Sequence, residues 1–585
     1  MVAYGALPLN VFPVSPFLTK KETRIAMDTS VVISTYNSKR NIGNIENKGF
    51  KDFHCIVHAI SKDITFVDDQ ISSTSDENQL EELVKKIKKI MASKKYGNIE
   101  ELVIIDAIQR IGLEYYFRDE ISAALEKHYN LYHSTIEEGT DNLHDLALHF
   151  RLLRQHGYHV SSDALAKFKD KNGNFNQELA KDINGLMSLF EASQFRTRSD
   201  YVLDDANKFS RKLLKASLLK NIEQFEGLVI GNTLRYPYHK SLPRLMAKKF
   251  LPCFKSSLMF LHDFNHINDW INEVHDLARI DINLAQISQQ LELTQVSRWV
   301  NELNLEELQF ARIEPLKWYM WSMGILPGLD MSEERLEIMK AISFSYMIDD
   351  IFDGYGTYDE LYLFTEAIKR WETADVTQLP NCMKVCFKAL LETTNDFSSK
   401  IQTKHGWNPE QFLRKLWTEQ CNAFFIELKW SVNKYSPNPK EYLNNGIVSS
   451  GTHVVMAHAF FLLGKEINKK SLKELSSLPS IISSTATILR LWNDVGNHMD
   501  KTPNGEDGSY VDWYMKEHKI SSYDIARKHV SRKISDAWKC INKEYMSSTS
   551  PFSKEFKEAC LNLARTVPIM YSQDESDHFQ FMVEP

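Results

Sequence analysis

The sequence predicts an almost entirely α-helical protein. Three observations carry this: apolar residues recur at helical spacing, alternating β-type runs are scarce, and turns are marked by Asp or Asn with Gly. The pattern begins near Gln79, with Leu80, Leu83, Val84, Ile87 and Ile90 separated by Lys and Glu. Residues 101–117 repeat it with Leu102, Ile105, Ile108 and Leu113, and Leu146, Leu148, Phe150, Leu152 and Leu153 mark a further helix. Asp170, Asn172 and Gly173 read as a turn. No residue signature repeats at a fixed period of some 20–50 residues, so a solenoid is not predicted. With 585 residues, 43% of them hydrophobic, the chain can fill more than one core. The best domain boundary lies near residues 276–290, because every segment of chemical interest follows it.

Composition narrows the function classes. The net charge is −7, with 70 Lys and Arg against 77 Asp and Glu, so nothing points to a nucleic-acid partner. The seven cysteines are scattered. Only Cys382 and Cys386 are close, no second pair mirrors them, and a zinc site is not predicted; reduced thiols of an intracellular protein are. No apolar run reaches the roughly 18 residues of a membrane span. Residues 1–50 lean basic and carry Ser and Thr with little helical periodicity, which reads as a transit peptide or a disordered tail over residues 1–60.

The strongest chemical signal is Ser343–Asp353, SFSYMIDDIFD. Asp349 and Asp353 are four apart and share one helix face, while Asp350 points about 100° away. Met347, Ile348, Ile351 and Phe352 would bury this helix, and buried like charges are costly without a compensating cation. Mg²⁺ binds through one or two carboxylates plus substrate phosphates, which suits this pair. A second polar stripe lies in Ile488–Asp500, ILRLWNDVGNHMD. Asn493, Asn497 and Asp500 fall on nearly one face and offer oxygens for a further ion. Arg490 sits three residues earlier, able to grip a phosphate bidentately.

Together these segments resemble the class I plant terpene synthases over roughly residues 75–585. Asp349–Asp353 matches the family's aspartate-rich motif, and RLWNDVG from Arg490 matches the start of its second metal motif. The stretch Gly505–Tyr510 is similar to its Gly-Ser-Tyr segment, and Ser449–Thr452 to its helix break beside the pocket. The resemblance implies two α-helical domains: an N-terminal, barrel-like helical domain over residues 61–280, and a C-terminal metal-binding catalytic helix bundle over residues 281–585. It implies three Mg²⁺ ions, with Mn²⁺ as an alternative, held by Asp349, Asp353 and Asn493, with Asn497 and Asp500 completing the second site. It places Arg312 and Arg490 on the diphosphate of a prenyl diphosphate substrate, and these two with Asp349 and Asp353 form the catalytic set. Trp321, nine residues after Arg312, is the expected substrate-binding aromatic, and Phe424, Phe425 and Met456 are weaker lining candidates.

The departures from the family pattern are informative. Lys501 stands where the second motif asks for Glu, and a charged lysine cannot bind a metal, so Asp500 or a water is expected to replace that carboxylate. Glu314 replaces the second arginine of the Arg-x-Arg found upstream in many cyclising relatives. The first 100 residues hold no Arg-Arg pair, a motif expected of cyclic monoterpene synthases. This pattern looks like the subfamily that makes acyclic alcohols, the linalool and nerolidol synthases. The resemblance therefore implies a lyase that ionises geranyl or farnesyl diphosphate and lets water capture the allylic cation. A cyclic terpene synthase and an inactive diphosphate-binding homologue are the competing expectations. A monomer is expected, in the plastid or alternatively the cytoplasm. The segments 501–509 and 571–577 are expected to rim the pocket as a lid.

Overall fold

Each helical segment has one apolar face, and the chain buries these faces helix against helix. The computed structural model describes residues 73–93, 97–137, 142–220, 224–262, 270–303, 311–372, 376–499 and 508–571; for 73–76, 132–137 and 497–499 it describes the backbone alone. Residues 1–60, read above as a transit peptide or tail, lie outside this set. In the first half run α1 (Ser73–Met91), α2 (Asn98–Arg110), α3 (Arg118–Glu137), α4 (Leu143–Gln155), α5 (Ile183–Ser193), α6 (Tyr201–Lys220), α7 (Phe225–Arg235), α8 (Pro243–Phe250) and α9 (Phe254–Leu261). The long α10 (Ile271–Glu302) leads into α11 (Pro315–Ile325), α12 (Ser332–Gly354), α13 (Tyr358–Arg370), α14 (Asn381–His405), α15 (Glu410–Val432) and α16 (Pro439–Ser449). Then come α17 (Thr452–Leu463), α18 (Lys469–Ser476), α19 (Ser480–Met499), α20 (Tyr510–His518), α21 (Tyr523–Tyr545) and α22 (Lys554–Tyr571).

The described residues contain no β-strand, only an isolated bridge between Lys169 and Phe175. It closes the turn expected at Asp170–Gly173, where the Asp170 carboxylate accepts from the backbone N–H of Asn172 and Asn174 and Gly173 takes φ 80°. Capping residues set helix starts near the catalytic half: Thr357 and Glu360 form a reciprocal box at α13, and Asn438 caps α16.

Two cores share α10. Val274, Leu277 and Ala278 pack with Leu102, Ile105, Phe150 and Leu153 of the N-terminal helices. Further along the same helix, Leu293, Val296 and Val300 pack with Trp318, Phe344 and Trp417 of the C-terminal bundle. All described residues form one compact unit. Side-chain donors pin its two halves to backbone carbonyls: Arg565 to His239 at 2.7 Å, Arg244 to Pro327 at 3.0 Å, and Asn542 to Gln194 and Arg196 at 2.8 and 2.9 Å.

No membrane span is expected, and Pro439–Leu463 is the one described segment that meets the description of a span, by length and composition only. It is 78% buried inside the bundle and breaks at Gly451, as befits a core helix pair.

A buried ion pair fixes α12 to α10. Arg335 donates from Nε to Glu292 at 2.9 Å and from a terminal nitrogen to the other carboxylate oxygen, while Tyr319 Oη donates to the same acid at 2.8 Å. Removing one partner of such a pair strands a buried charge. Arg335→Leu is therefore expected to cost about 3–5 kcal/mol, read as a lower unfolding midpoint. Burial pushes the Glu292 carboxyl up, but Arg335 outweighs it and the folded pKa is lowered. The stabilisation is thus present above the unfolded carboxylate range and lost on acidification, so the gap between wild type and variant should narrow as pH falls.

Candidate active site

The inner face of α12 is defined by what is not buried. From Ala341 to Phe352, only Ser345, Tyr346 and Asp349 escape full burial. Tyr346, Asp349 and Asp353 follow at three and four residues and form one stripe. The two carboxylates repel. Burial, and next the charge of Asp353, pushes Asp349 up to about 8. Asp353 is raised as well, by the surrounding protein and by Asp350 and Glu427, against the pull of Arg312.

Asp350, pointing away from this stripe, is 6% exposed and holds Arg312. Its two oxygens accept from the Arg312 backbone N–H and Nε, both at 2.7 Å, and from a terminal guanidinium nitrogen. That nitrogen lies 3.8 Å from Asp349, and the Arg312 side chain remains 47% exposed. A carboxylate behind a half-exposed guanidinium holds it as a fixed fork beside the acid pair.

The second wall is built around Arg490 on α19. Its Nε approaches the Tyr442 hydroxyl at 3.1 Å and Asp494 at 3.2 Å, and a terminal nitrogen lies 3.8 Å from Glu427. Asp494 is buried and accepts from Tyr442 Oη at 3.1 Å and from the Tyr510 N–H at 2.9 Å. The Gly-Ser-Tyr segment thus has a structural reason here. Gly508 turns with φ 64°, Ser509 caps α20 in a box with Asp512, and Tyr510 presents its amide to Asp494. Glu427 accepts from Asn445 Nδ2 at 3.0 Å and Ser449 Oγ at 2.7 Å, both on one oxygen. Its charge acts on Asp349, Asp353 and Arg490 alike, so it stands between the two walls.

The structure thus brings Asp349, Asp353, Arg312 and Arg490 into one neighbourhood: Asp353 is acted on by both arginines, and Tyr571 by Asp349 and Arg490. Asn493 is half-buried on the same helix as Arg490. The Asn497 side chain, Asp500, Lys501 and the expected lid residues 501–507 and 572–577 lie outside the described residues. Trp321 is 4% exposed, donates from Nε1 to the Tyr346 hydroxyl at 2.9 Å and meets the Tyr571 ring edge-on at 5.9 Å. Among the weaker lining candidates, Met456 is wholly buried, Phe424 stacks on Phe352 at 5.5 Å, and Phe425 packs on Tyr358 at 5.3 Å. The helix break is real. Gly451 takes φ 69°, and a Cβ there would stand 2.6 Å from Gln420 Nε2 and 2.8 Å from Ser345 Oγ.

Sequence reasoning missed Asp350, Glu427, Tyr442, Asp494 and Tyr346. Three of them carry a local signal: Asp494 lies four residues after Arg490, Tyr346 three before Asp349, and Asp350 inside the motif itself.

The donor set fits a hard divalent cation: two mutually repelling carboxylates on one face, backed by further oxygen groups. Among the described residues, no three His, Cys, Asp or Glu side chains lie together closely enough to hold an ion alone. Substrate oxygens would have to complete the shell, which is how Mg²⁺ ordinarily binds beside phosphates.

Comparison with known proteins agrees with this geometry. Residues 301–540 match the terpene synthase family metal-binding domain, and residues 54–229 match the terpene synthase N-terminal domain. An (E)-nerolidol synthase of Cannabis sativa is 43% identical, covering 83% of this chain and 87% of the relative. The chloroplastic S-(+)-linalool synthase of Arabidopsis thaliana is 42% identical over 84% of both chains. The crystal structure of isoprene synthase from grey poplar, in complex with three Mg²⁺ ions and dimethylallyl-S-thiolodiphosphate, superposes with a TM-score of 0.78. It is 33% identical and covers 84% of this chain and 92% of its own. Fold and matches together define a two-domain, all-α lyase that acts on prenyl diphosphates and uses a divalent metal. The chain belongs to the terpene synthase family.

Because part of the elevation at Asp349 comes from Asp353, Asp353→Asn should move the Asp349 pKa down from about 8 in metal-free protein. Carboxyl ¹³C titration reads this directly. An unmoved Asp349 would mean that burial, with Asp350 and Glu427, raises it without Asp353.

Proposed function

We propose that the protein ionises geranyl or farnesyl diphosphate and quenches the allylic cation with water, giving linalool or nerolidol plus diphosphate. The observation that carries this is the placement of Glu314. Where cyclising relatives carry a second arginine, Glu314 is bound by Lys317 at 2.9 Å. No second guanidinium is available at that position to keep the departing diphosphate beside the cation, and the carboxylate repels it. The activities for which the nerolidol and linalool synthase relatives are named support the same reading.

In this reading residues 61–280 form the N-terminal domain and 281–585 the catalytic domain, supported by the change of core partners along α10 between Ala278 and Leu293. Asp349, Asp353, Asn493, Asn497 and Asp500 hold the metal ions, and Arg312 and Arg490 grip the diphosphate. Bound Mg²⁺, or Mn²⁺, supplies positive charge that stabilises the leaving diphosphate. The two arginines arrive already oriented by Asp350 and Asp494, so little reorganisation accompanies ionisation. Trp321 offers its ring to the developing cation. The plastid is the proposed site of action, supported by the basic N-terminal residues and by the chloroplastic linalool synthase relative.

The test is a product assay. The full chain is given each diphosphate with Mg²⁺ and the volatiles are identified. Linalool from the ten-carbon substrate or nerolidol from the fifteen-carbon one is expected. Cyclic products would overturn the acyclic reading, and silence with both would favour an inactive binder. Glu314→Arg is expected to raise the share of cyclic products, measured in the same assay. Asp500→Ala is expected to raise the Mg²⁺ concentration needed for half-maximal diphosphate release. An unchanged requirement would remove Asp500 from the ligand set.

A further inference from the structure

We infer that the Tyr346 hydroxyl positions the water that captures the cation, which makes Tyr346 a positioning residue for the quench. The inference rests on the acyclic-alcohol reading above and names the group that reading lacks. Its basis is the stripe on α12. Tyr346 lies three residues before Asp349 on the same face, about 4.5 Å deeper along the helix axis at ~1.5 Å per residue. With the diphosphate at Asp349 and Asp353, the allylic carbons released from it reach the depth of residues 345 and 346.

Two half-buried hydroxyls of α12 lie at that level. Ser345 Oγ directs its proton to the Ala341 carbonyl of its own helix at 3.3 Å or to Gln420 Oε1 at 3.5 Å, beside the Gly451 turn. Tyr346 differs. Its oxygen accepts the Trp321 indole N–H at 2.9 Å, and this is its one hydrogen-bond partner among the described residues. An indole N–H is a donor only, so the phenol keeps its own proton and a remaining acceptor position for water. The ring itself is clamped. Lys317 Nζ lies 5.1 Å over it and is tied in turn to Glu314. Glu314 thereby acts twice: it withholds a second arginine from the diphosphate, and it holds the lysine that fixes the Tyr346 ring.

A water donating one hydrogen to the Tyr346 oxygen turns a lone pair toward the internal allylic carbon. The water oxygen forms the new C–O bond with that carbon. The resulting oxonium loses its proton to the released diphosphate, so the sum is prenyl diphosphate plus water giving tertiary alcohol plus protonated diphosphate. Tyr346 begins and ends as a neutral phenol.

The experiment compares wild type with Tyr346→Phe on geranyl diphosphate with Mg²⁺, counting alcohol and hydrocarbon per diphosphate released. The alcohol share should fall about fivefold, the scale of one neutral hydrogen bond, with acyclic hydrocarbons rising to replace it. The enantiomeric ratio of the remaining alcohol is read in the same samples and should move toward racemic, because water no longer arrives from one fixed point. A merely structural role would lower total diphosphate release without moving either ratio. An unchanged alcohol share and unchanged enantiomeric ratio in the variant would overturn the inference. A wild type that makes no tertiary alcohol would instead overturn the reading beneath it. If Tyr346→Phe lacks the helical circular dichroism of the wild type, Lys317→Met, which removes the charge that clamps the Tyr346 ring, takes its place. Both ratios should then shift in the same directions, and their constancy would again overturn the inference.

Discussion

Two like charges one helical turn apart, on a helix otherwise packed into a core, are the constraint on which the rest of the catalytic half depends. Left alone, Asp349 and Asp353 would destabilise α12. The bundle tolerates them by keeping them at the open face and by fixing the helix elsewhere. Arg335 and Glu292 lock its early turns to α10, and Asp350 spends its burial on Arg312. The repulsion that remains makes the face receptive to cations.

Both arginines of the site follow one scheme. Arg312 is backed by Asp350, and Arg490 by Asp494 with Tyr442. Each carboxylate balances the charge of its guanidinium and aims it by charge-assisted hydrogen bonds. Glu427 stands between them, anchored by Asn445 and Ser449 at the end of α16. The helix break after Ser449 therefore bears on electrostatics as well as on shape. Gly451 is confined there by Gln420 and Ser345, so the turn, the polar pocket wall and α12 are in mutual contact.

Much of the fold was legible in the sequence because periodicity is local. The runs at Leu80–Ile90, Leu102–Ile108 and Leu146–Leu153 gave away their helices, though Leu113 falls beyond the helix end at Arg110, and Asp349 with Asp353 announced a face. What stayed hidden depends on which helix arrives opposite. A helical wheel shows that Asp350 points away from Asp349, but not that Arg312, 38 residues earlier, meets it there. Glu427 and Tyr442 reach Arg490 from other helices and carry no motif.

The polar seam joining α21 and α22 to the N-terminal helices bears on how such chains can be recombined. Arg565 and Asn542 donate to the backbone carbonyls of His239, Gln194 and Arg196. Backbone acceptors exist in every sequence, so this part of the seam survives divergence of the N-terminal partner provided its chain path is kept. The side-chain contacts beside it, His239 with Asn542 at 2.6 Å, Arg196 with Ser535 at 3.2 Å and Lys539 with Asp204 at 2.8 Å, tie particular residues together. A chimera joining halves from two family members should thus need these few pairs matched, and should fail where an insertion or deletion displaces the segment from Gln194 to His239.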